Sequence, residues 1–318
     1  MAGCRIRDCG GRRPIILSVR SPSPPDTAAL LKAYGFRPRR QLGQNFLNDS
    51  AALERITVEA RIGENDAVLE VGCGLGNLTR YLCTLARLVV AVEIDERLVA
   101  IARDVLSLST NVRLVCGDIL ALTPAELDLP QDYIVAANIP YYVTSPIMRH
   151  LLESRPRPRR MVLTVQREVA QRICARPPDM SLLALSMQVY GSAEIVAEIP
   201  ATAFIPPPKV DSAVVRVETY GEPLIPGPLL ATFFHLAKAG FGRKRKMLHN
   251  ALASGLRMSP SESTRLLRQS NIDPHRRAET LEIPEWENLC HSYQTSRPRP
   301  EPEFVARLPA TRPRYPRR

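Results

Sequence analysis

Short apolar runs alternate with amphipathic segments through the first two thirds of the chain. The apolar runs predict strands at residues 67–71, 88–92, 112–116, 133–137 and 161–165. Helical spacing predicts helices at residues 78–85, 96–106, 147–153 and 168–174. Strands that alternate with helices of this length are typical of a parallel, doubly wound α/β sheet. Residues 186–195 and 212–217 are predicted to form two further strands.

Beyond Tyr220 the pattern changes to helices alone. Pro223, Pro226 and Pro228 predict a linker, and the helical spacing after it predicts helices at residues 229–237, 246–253, 261–268 and 284–292. Residues 1–28 and 296–318 have no sustained periodicity and are rich in proline, glycine or arginine, so we expect both to be disordered. The predicted organisation is an α/β domain over residues 29–220 followed by a helical domain over residues 221–295.

Most of the positive charge lies at the two ends of the chain. The formal net charge is +11, and residues 1–40 contribute +7 while residues 296–318 contribute +5. A basic balance suggests a polyanionic partner, although two solvated basic tails would give the same balance. No apolar run reaches the length of about 18 residues that a membrane span requires. Seven cysteines without C-x-x-C spacing or a nearby histidine cluster indicate a reduced, cytoplasmic protein without a metal site.

A glycine-rich turn follows the first predicted strand and opens the first helix. It contains Gly72, Gly74 and Gly76 in the sequence EVGCGLG. Glycines at such a place let the backbone approach a ligand closely, and the helix N-terminus favours negative charge. The G-x-G-x-G spacing differs from the G-x-G-x-x-G of nicotinamide enzymes, which disfavours an oxidoreductase.

Two carboxylates stand at the ends of the next two strands. Glu93, after the second strand, is placed to accept hydrogen bonds from ribose hydroxyls, and Asp118, after the third, from an adenine amine. Either acid alone is more often a polar strand end. Together with the glycine turn they indicate an adenosyl cofactor at the carboxyl edge of the sheet.

The most specific motif follows the fourth strand and consists of Asn138, Ile139, Pro140, Tyr141 and Tyr142. It resembles the N-[LIP]-P-[YF] motif of methyltransferases that act on amino groups of nucleic-acid bases. The exocyclic amine of adenine is a poor nucleophile because its lone pair is delocalised into the ring, so it must become pyramidal to attack a sulfonium methyl group. The side-chain oxygen of Asn138 and the backbone carbonyl of Ile139 favour that geometry by preorganised electrostatics. Tyr141 offers a face on which an extruded base can stack.

Five segments in order resemble the ribosomal RNA adenine dimethyltransferase family over about residues 30–295. They are QLGQNFL at residues 41–47, the glycine turn, VEID at residues 92–95, NIPYY at residues 138–142 and FIPPPKVDS at residues 204–212. The resemblance implies a class I S-adenosylmethionine-dependent methyltransferase, with a Rossmann-like seven-stranded sheet and a small helical C-terminal domain. The family's bacterial housekeeping member dimethylates the N6 amines of two adjacent adenosines in the 3′-terminal hairpin of 16S rRNA, and takes part in small-subunit biogenesis. The implied partner is therefore small-subunit rRNA or the pre-30S particle, bound by a cytoplasmic monomer.

The resemblance also assigns residues by position. It places Phe204 over the target base, opposite Tyr141, although without the resemblance Phe204 reads as a core residue before a proline turn. Cys73 and Ile139 depart from the residues that the family often has, proline and leucine, without removing a polar atom. The residues assigned to the S-adenosylmethionine site are Asn45, Leu47, Gly72, Glu93, Asp118 and Asn138.

A run of basic residues precedes one of the late helices. Arg243, Lys244, Arg245 and Lys246 follow Lys238 with no acid between them, and we expect them to hold RNA phosphates. A solvated helix face is the usual alternative for such a run.

Three alternative functions stay open at this point. The first is dimethylation of 23S rRNA, as in macrolide-resistance methyltransferases, against which the segments at residues 41–47 and 204–212 argue. The second is a non-catalytic assembly or transcription factor on the same fold, which the intact Asn138 and Glu93 disfavour. The third is the nicotinamide oxidoreductase, which the glycine spacing disfavours.

Overall fold

The computed structural model describes residues 26–39, 43–243 and 245–296. The two extensions that were expected to be disordered therefore lie almost entirely outside the described residues. Within the described part of the chain, no helix combines the length and the apolar character that crossing a membrane requires.

Seven strands form a mixed sheet in the order β4-β3-β2-β5-β6-β9-β7. The first five strands of that order are parallel, β9 runs antiparallel to β6, and β7 pairs antiparallel with β9. The strands are β2 (Ala67–Val71), β3 (Leu88–Glu93), β4 (Val112–Cys116), β5 (Ile134–Asn138), β6 (Arg160–Gln166), β7 (Gly191–Ile199) and β9 (Ser212–Thr219). The predicted α/β class and the five predicted parallel strands are confirmed. Apolar strands are expected in such a sheet, because helices cover both of its faces.

A separate two-residue ribbon joins the N-terminal segment to the chain after β7. It consists of β1 (Phe46–Leu47) and β8 (Phe204–Ile205), with Leu47 opposite Phe204. Neither strand was predicted, because a pair of residues is too short to show periodicity.

Helices cover the faces of the sheet. They are α1 (Thr27–Ala33), α2 (Ser50–Ala60), α3 (Asn77–Leu82), α4 (Glu96–Val105), α5 (Thr144–Glu153), α6 (Arg167–Cys174) and α7 (Leu182–Gln188). The sequence pattern had not revealed α1 and α2, although each begins at a capping aspartate. The side chain of Asp26 accepts a hydrogen bond from the Ala29 amide, and that of Asp49 from the Ala52 amide.

The prediction of a strand at residues 186–195 was wrong in its first half. Those residues begin inside α7, and β7 starts only at Gly191. The side chain of Ser181 caps α7 by accepting from the Ala184 amide at 3.0 Å, so the chain is helical before it turns into the strand.

The C-terminal part consists of α8 (Gly227–Phe241), α9 (Leu248–Leu256), α10 (Pro260–Gln269) and α11 (Ile283–Ser296). The predicted linker was too long, because Pro228 lies in the first turn of α8, where a missing N–H is tolerated. The prediction for α9 began two residues early. Lys246 belongs to the preceding turn, in which its amide donates to the Arg243 carbonyl at 3.2 Å.

One apolar cluster joins the sheet to the C-terminal helices. It includes Val215 of β9, Phe233 of α8 and Trp286 of α11. The rings of Phe233 and Trp286 meet edge to face with centroids 6.5 Å apart, and Tyr190 stacks on Phe234 at 6.4 Å. The helical part therefore packs directly on the sheet and shares its core.

Candidate active site

A cleft of about 1080 Å³, counting its open mouth, lies at the carboxyl ends of β2, β3, β4 and β5. A parallel sheet places its ligand sites at this edge, because the loops that leave neighbouring strands meet there. The segment before α2 closes one side of the cleft. The residues that were predicted from the sequence and that line it are Asn45, Leu47, Gly72, Gly74, Glu93, Asp118, Asn138, Ile139, Pro140 and Tyr141.

The glycine turn needs glycine because its backbone is left-handed. Gly72, Gly74 and Gly76 have φ values of +74°, +57° and +82°. A Cβ atom on Gly74 would lie 3.0 Å from the ring of Phe46, so a side chain there would displace the segment that covers the turn. Gly76 packs against Leu106 instead of lining the cleft, and it caps α3. Gly76 was predicted to line the cofactor site, but it is not among the residues that line the cleft.

Glu93 is held in one orientation by the backbone around it. One carboxylate oxygen accepts from the Gly74 amide and the other from the Asp95 amide, both at 3.0 Å. The side chain is 7% exposed, and burial raises its pKa. Each oxygen keeps a second lone pair, so the carboxylate can still accept from a ligand with two adjacent hydroxyl groups.

Glu70, which opens the glycine turn, is a buried acid that the sequence reasoning did not assign to the site. It lines the cleft, is 2% exposed and has one carboxyl oxygen, Oε2, without a hydrogen-bond partner among the described residues. Burial raises its pKa to about 8, and the nearby Glu93 charge adds to the effect. At neutral pH the group is therefore largely protonated and can donate a hydrogen bond. The sequence offered one sign of this role, because Glu70 lies at the carboxyl end of β2, next to the glycine turn.

Asp118 follows β4 and reaches the cleft from the third strand end. Its Oδ1 accepts from the Leu120 amide at 3.0 Å, which starts a short helical turn and orients the side chain. Asp118 also lines the cleft.

The side chain of Asn138 is oriented by the N-terminal segment. Its Nδ2 donates to the backbone carbonyl of Asn45 at 3.1 Å. A carbonyl only accepts, so this contact identifies the amide nitrogen and leaves Oδ1 as the acceptor of the side chain. The neighbouring Ile139 is 1% exposed and donates its amide to the carbonyl of Thr164 at 3.3 Å, which anchors the loop to β6.

The side chain of Tyr141 is held by a residue of β9. Its hydroxyl lies 2.7 Å from that of Ser212, the first residue of β9, and burial raises the pKa of the phenol. Ser212 is fully buried and was missed in the sequence, although it ends the segment FIPPPKVDS. The hydroxyl contact therefore fixes the direction in which the tyrosine side chain points.

Asn77 ties the N-terminal segment to the cleft. Its Nδ2 donates to the Leu47 carbonyl at 2.8 Å and to the Thr27 hydroxyl at 2.9 Å. Its Oδ1 is buried without a partner in the described part of the chain, and the residue lines the cleft. On the same segment, Gly43 packs against Pro140 and Tyr142, so residues 43–47 form the wall that faces the NIPYY loop.

Phe204 is not brought to the cleft. Its ring is 1% exposed and belongs to an apolar cluster with Leu53 and Ile56. The ribbon with Leu47 fixes it there, because neighbouring residues of a strand point to opposite sides. In this conformation Phe204 supports the wall of the cleft, and its expected place opposite Tyr141 stays a prediction.

The basic turn lies away from this cleft, between α8 and α9. Arg243, Arg245 and Lys246 are exposed, and Lys244 lies outside the described residues. None of the three forms an ion pair with an acid in the part of the chain that the structure describes.

Cys73, the departure inside the glycine turn, is 5% exposed. Burial, together with the carboxylates of Glu70 and Glu93, raises the pKa of its thiol, so the sulfur stays protonated and acts as an apolar filler.

Comparison with known proteins gives a consistent result over most of the chain. The model of the family described as ribosomal RNA adenine dimethylase matches residues 35–292. A protein of Dehalococcoides mccartyi named ribosomal RNA small subunit methyltransferase A is 44% identical over 266 residues, which cover 83% of this chain and 91% of that protein. A protein of the same name from Geobacillus sp. (strain WCH70) is 38% identical over 282 residues, or 86% of this chain and 97% of that protein.

Two solved structures are similar in fold. A dimethyladenosine transferase from Plasmodium falciparum superimposes with a TM-score of 0.68 at 25% identity, covering 79% of this chain and 98% of that one. The 23S rRNA methyltransferase ErmE superimposes with a TM-score of 0.63 at 29% identity, covering 78% of this chain and 99% of that one.

Proposed function

This chain belongs to the ribosomal RNA adenine dimethylase family, and from that premise we propose that it dimethylates the N6 amines of two adjacent adenosines in the 3′-terminal hairpin of 16S rRNA. The methyl donor is S-adenosylmethionine. The observation that carries the proposal is the oriented amide of Asn138, held by the Asn45 carbonyl in the same cleft as the glycine turn and Glu93. The residues proposed to bind the cofactor and the residues proposed to hold the adenine amine thus line one cleft.

The residues of the cleft fit an adenosyl cofactor. Glu93 presents two oriented oxygens for ribose hydroxyls, Asp118 an acceptor for the adenine amine, and the left-handed glycines a wall without side chains. The unpartnered atoms of Glu70 and Asn77 are further polar groups that a ligand with an amine and a carboxylate would satisfy. When bound, S-adenosylmethionine supplies an electrophilic methyl group on a sulfonium.

The protein's own contribution to methyl transfer is to orient the amine and to exclude water. Oδ1 of Asn138 and the carbonyl of Ile139 accept the two amine hydrogens and favour a pyramidal nitrogen, whose lone pair then points out of the ring plane. Tyr141 holds the extruded base by stacking, and the contact with Ser212 holds the end of its side chain in place. The methylated amine is acidic enough to release its proton to water, so the mechanism needs no side chain as a general base.

Recognition of the RNA extends beyond the cleft. The exposed Arg243, Arg245 and Lys246 form a basic turn on the helical part, without an ion pair to any acid among the described residues, which suits the phosphates of a folded RNA. The names of the relatives support small-subunit rRNA as that RNA. We further propose that a monomer in the cytoplasm acts on the pre-30S particle.

Dimethylation of 23S rRNA is the second candidate, and the similarity to ErmE favours it. The relatives named small subunit methyltransferase A are 38% to 44% identical over more of the chain, against 29% for ErmE, and this outweighs the structural similarity.

The deciding experiment offers both subunits, isolated from cells that lack this gene, to the purified protein with labelled S-adenosylmethionine. We expect two dimethylated adenosines in the 3′ hairpin of 16S rRNA and none in 23S rRNA when the products are mapped by mass spectrometry. Label confined to 23S rRNA would establish the second candidate instead.

A further inference from the structure

A second cleft lies in the helical part of the molecule, where α9 meets α10. Among the described residues it shares no lining residue with the methyl-transfer cleft. Most of the residues that line it have polar side chains, in contrast to the apolar faces that α9 and α10 turn toward each other. The residues that line it are His249, Pro260, Ser261, Thr264, Arg265, Arg268 and Gln269.

The described residues that line this cleft include two arginines and no acid. Arg265 and Arg268 are exposed, lie three residues apart on one face of α10, and form no ion pair with an acid in the described ranges. Two arginines that follow α10 differ in this respect, because Arg276 forms an ion pair with Glu285 and Arg277 forms one with Glu279.

The acid nearest in sequence is engaged with its own helix. Glu262 accepts from the amide and the hydroxyl of Ser259 at 2.7 and 2.8 Å, in the capping box that starts α10. Glu262 therefore supports the start of α10, beside the residues that line the cleft.

The cleft has a rigid frame. The hydroxyl of the fully buried Ser263 donates to the backbone carbonyl of His249 at 2.8 Å, which locks α10 onto α9. The Nδ1 of His249 lies 2.8 Å from the carbonyl of Pro274, and because a carbonyl only accepts, Nδ1 carries the proton. The other ring nitrogen, Nε2, then serves as an acceptor when the imidazole is neutral.

The cleft also continues the basic turn. Lys246 is followed by Met247, the capping residue of α9, and His249 lies in the first turn of that helix. The basic turn therefore leads directly into the helix that supplies His249 to the cleft.

We propose that this cleft binds backbone phosphates of the ribosomal RNA, as a second anchoring site separate from the nucleotides that are methylated. The proposal rests on the proposed function, since it takes rRNA as the substrate. Two guanidinium groups one turn apart can hold phosphate oxygens in bidentate fashion, and the hydroxyls of Ser261 and Thr264 and the amide of Gln269 add neutral donors. An acceptor such as Nε2 of His249 suits a ribose 2′-hydroxyl, which DNA lacks.

The test measures binding of the full chain to small ribosomal subunits from cells that lack this gene, over a range of salt concentrations. For Arg265→Glu/Arg268→Glu we expect binding at low salt to weaken at least about tenfold. The slope of log Kd against log salt should flatten by about two, one for each lost phosphate contact. Arg265→Gln/Arg268→Gln should flatten the slope by about the same amount, because it loses the same two phosphate contacts, and should weaken binding by less, because it adds no repulsion. This second variant guards against a folding defect of the reversed one.

The matched control is Arg61→Glu/Arg103→Glu, which changes the net charge equally at two exposed positions outside both clefts. A smaller loss of affinity in the control, with a slope near that of the wild type, supports a local site. If the cleft variant equals the control in affinity and slope while the wild-type protein methylates the same subunits, the cleft does not bind RNA and the proposed function stands. A wild-type protein that neither binds nor methylates these subunits would overturn both.

Discussion

The hydroxyl of Tyr141 lies 2.7 Å from the hydroxyl of Ser212, so the loop that follows β5 is joined to the first residue of β9 across the intervening strand β6. A stacking platform has to be stationary to align a base, and this contact is what restricts the tyrosine ring. No local sequence motif predicts this contact, because the two residues are 71 positions apart in the chain.

We expect the ring of Tyr141, more than its hydroxyl, to support catalysis. Tyr141→Ala removes a stacking surface worth roughly 1–3 kcal/mol, whereas Tyr141→Phe keeps the ring and should retain most of the activity. Ser212→Ala, which removes the same hydrogen bond from the other side, should match Tyr141→Phe in kcat/KM. An inactive Tyr141→Phe enzyme would show that the phenol takes part in the chemistry.

Asn138→Ala should slow the methyl-transfer step itself. Removal of one preorganised acceptor typically costs on the order of a hundredfold in rate. Single-turnover measurements at saturating cofactor and RNA isolate that step from any loss of cofactor binding. A normal single-turnover rate in this variant contradicts the role assigned to its oxygen.

Glu93→Ala should weaken binding of S-adenosylmethionine by about 1.5–3 kcal/mol, because charged hydrogen bonds to the ribose are lost. Titration calorimetry measures this directly, without RNA. Glu59→Ala provides a comparison, since it removes a buried glutamate that does not line the cleft. Wild-type affinity in Glu93→Ala would mean that the adenosyl group binds elsewhere.

Glu70 should make the stability of the protein without cofactor depend on pH. Its pKa is about 8 in the folded protein and near 4.5 when unfolded, so between these values the folded state binds more protons and stability falls as pH rises. Glu70→Gln removes this ionisation and should be the more stable protein at pH 8, by on the order of a few kcal/mol. At pH 4.5 the two should be nearly equal. Urea unfolding at both values tests this, and a constant difference between the two proteins would refute it.

Local pattern was sufficient for the parallel strands and for the motifs at their ends. Residues 67–71 and 112–116 were predicted with the boundaries that the structure shows. The first is fully buried, and such a strand needs a continuous apolar run and ends where the run ends. The glycines of the turn were also readable, because only glycine adopts a left-handed backbone without strain. Where several such strand ends recur in order, the sequence predicts that their side chains share one edge of the sheet.

Chain topology decided what local pattern could not. The side chain of Asn138 is oriented by a carbonyl 93 residues away, and the ribbon that buries Phe204 pairs two segments more than 150 residues apart. The raised pKa of Glu70 has the same origin, because burial depends on everything that packs around a residue and not on its neighbours in the chain. The sequence alone therefore determined which groups the site contains. Only the tertiary structure decided how they are oriented and charged, since hydrogen-bond partners and solvent exclusion come from distant segments that periodicity cannot pair.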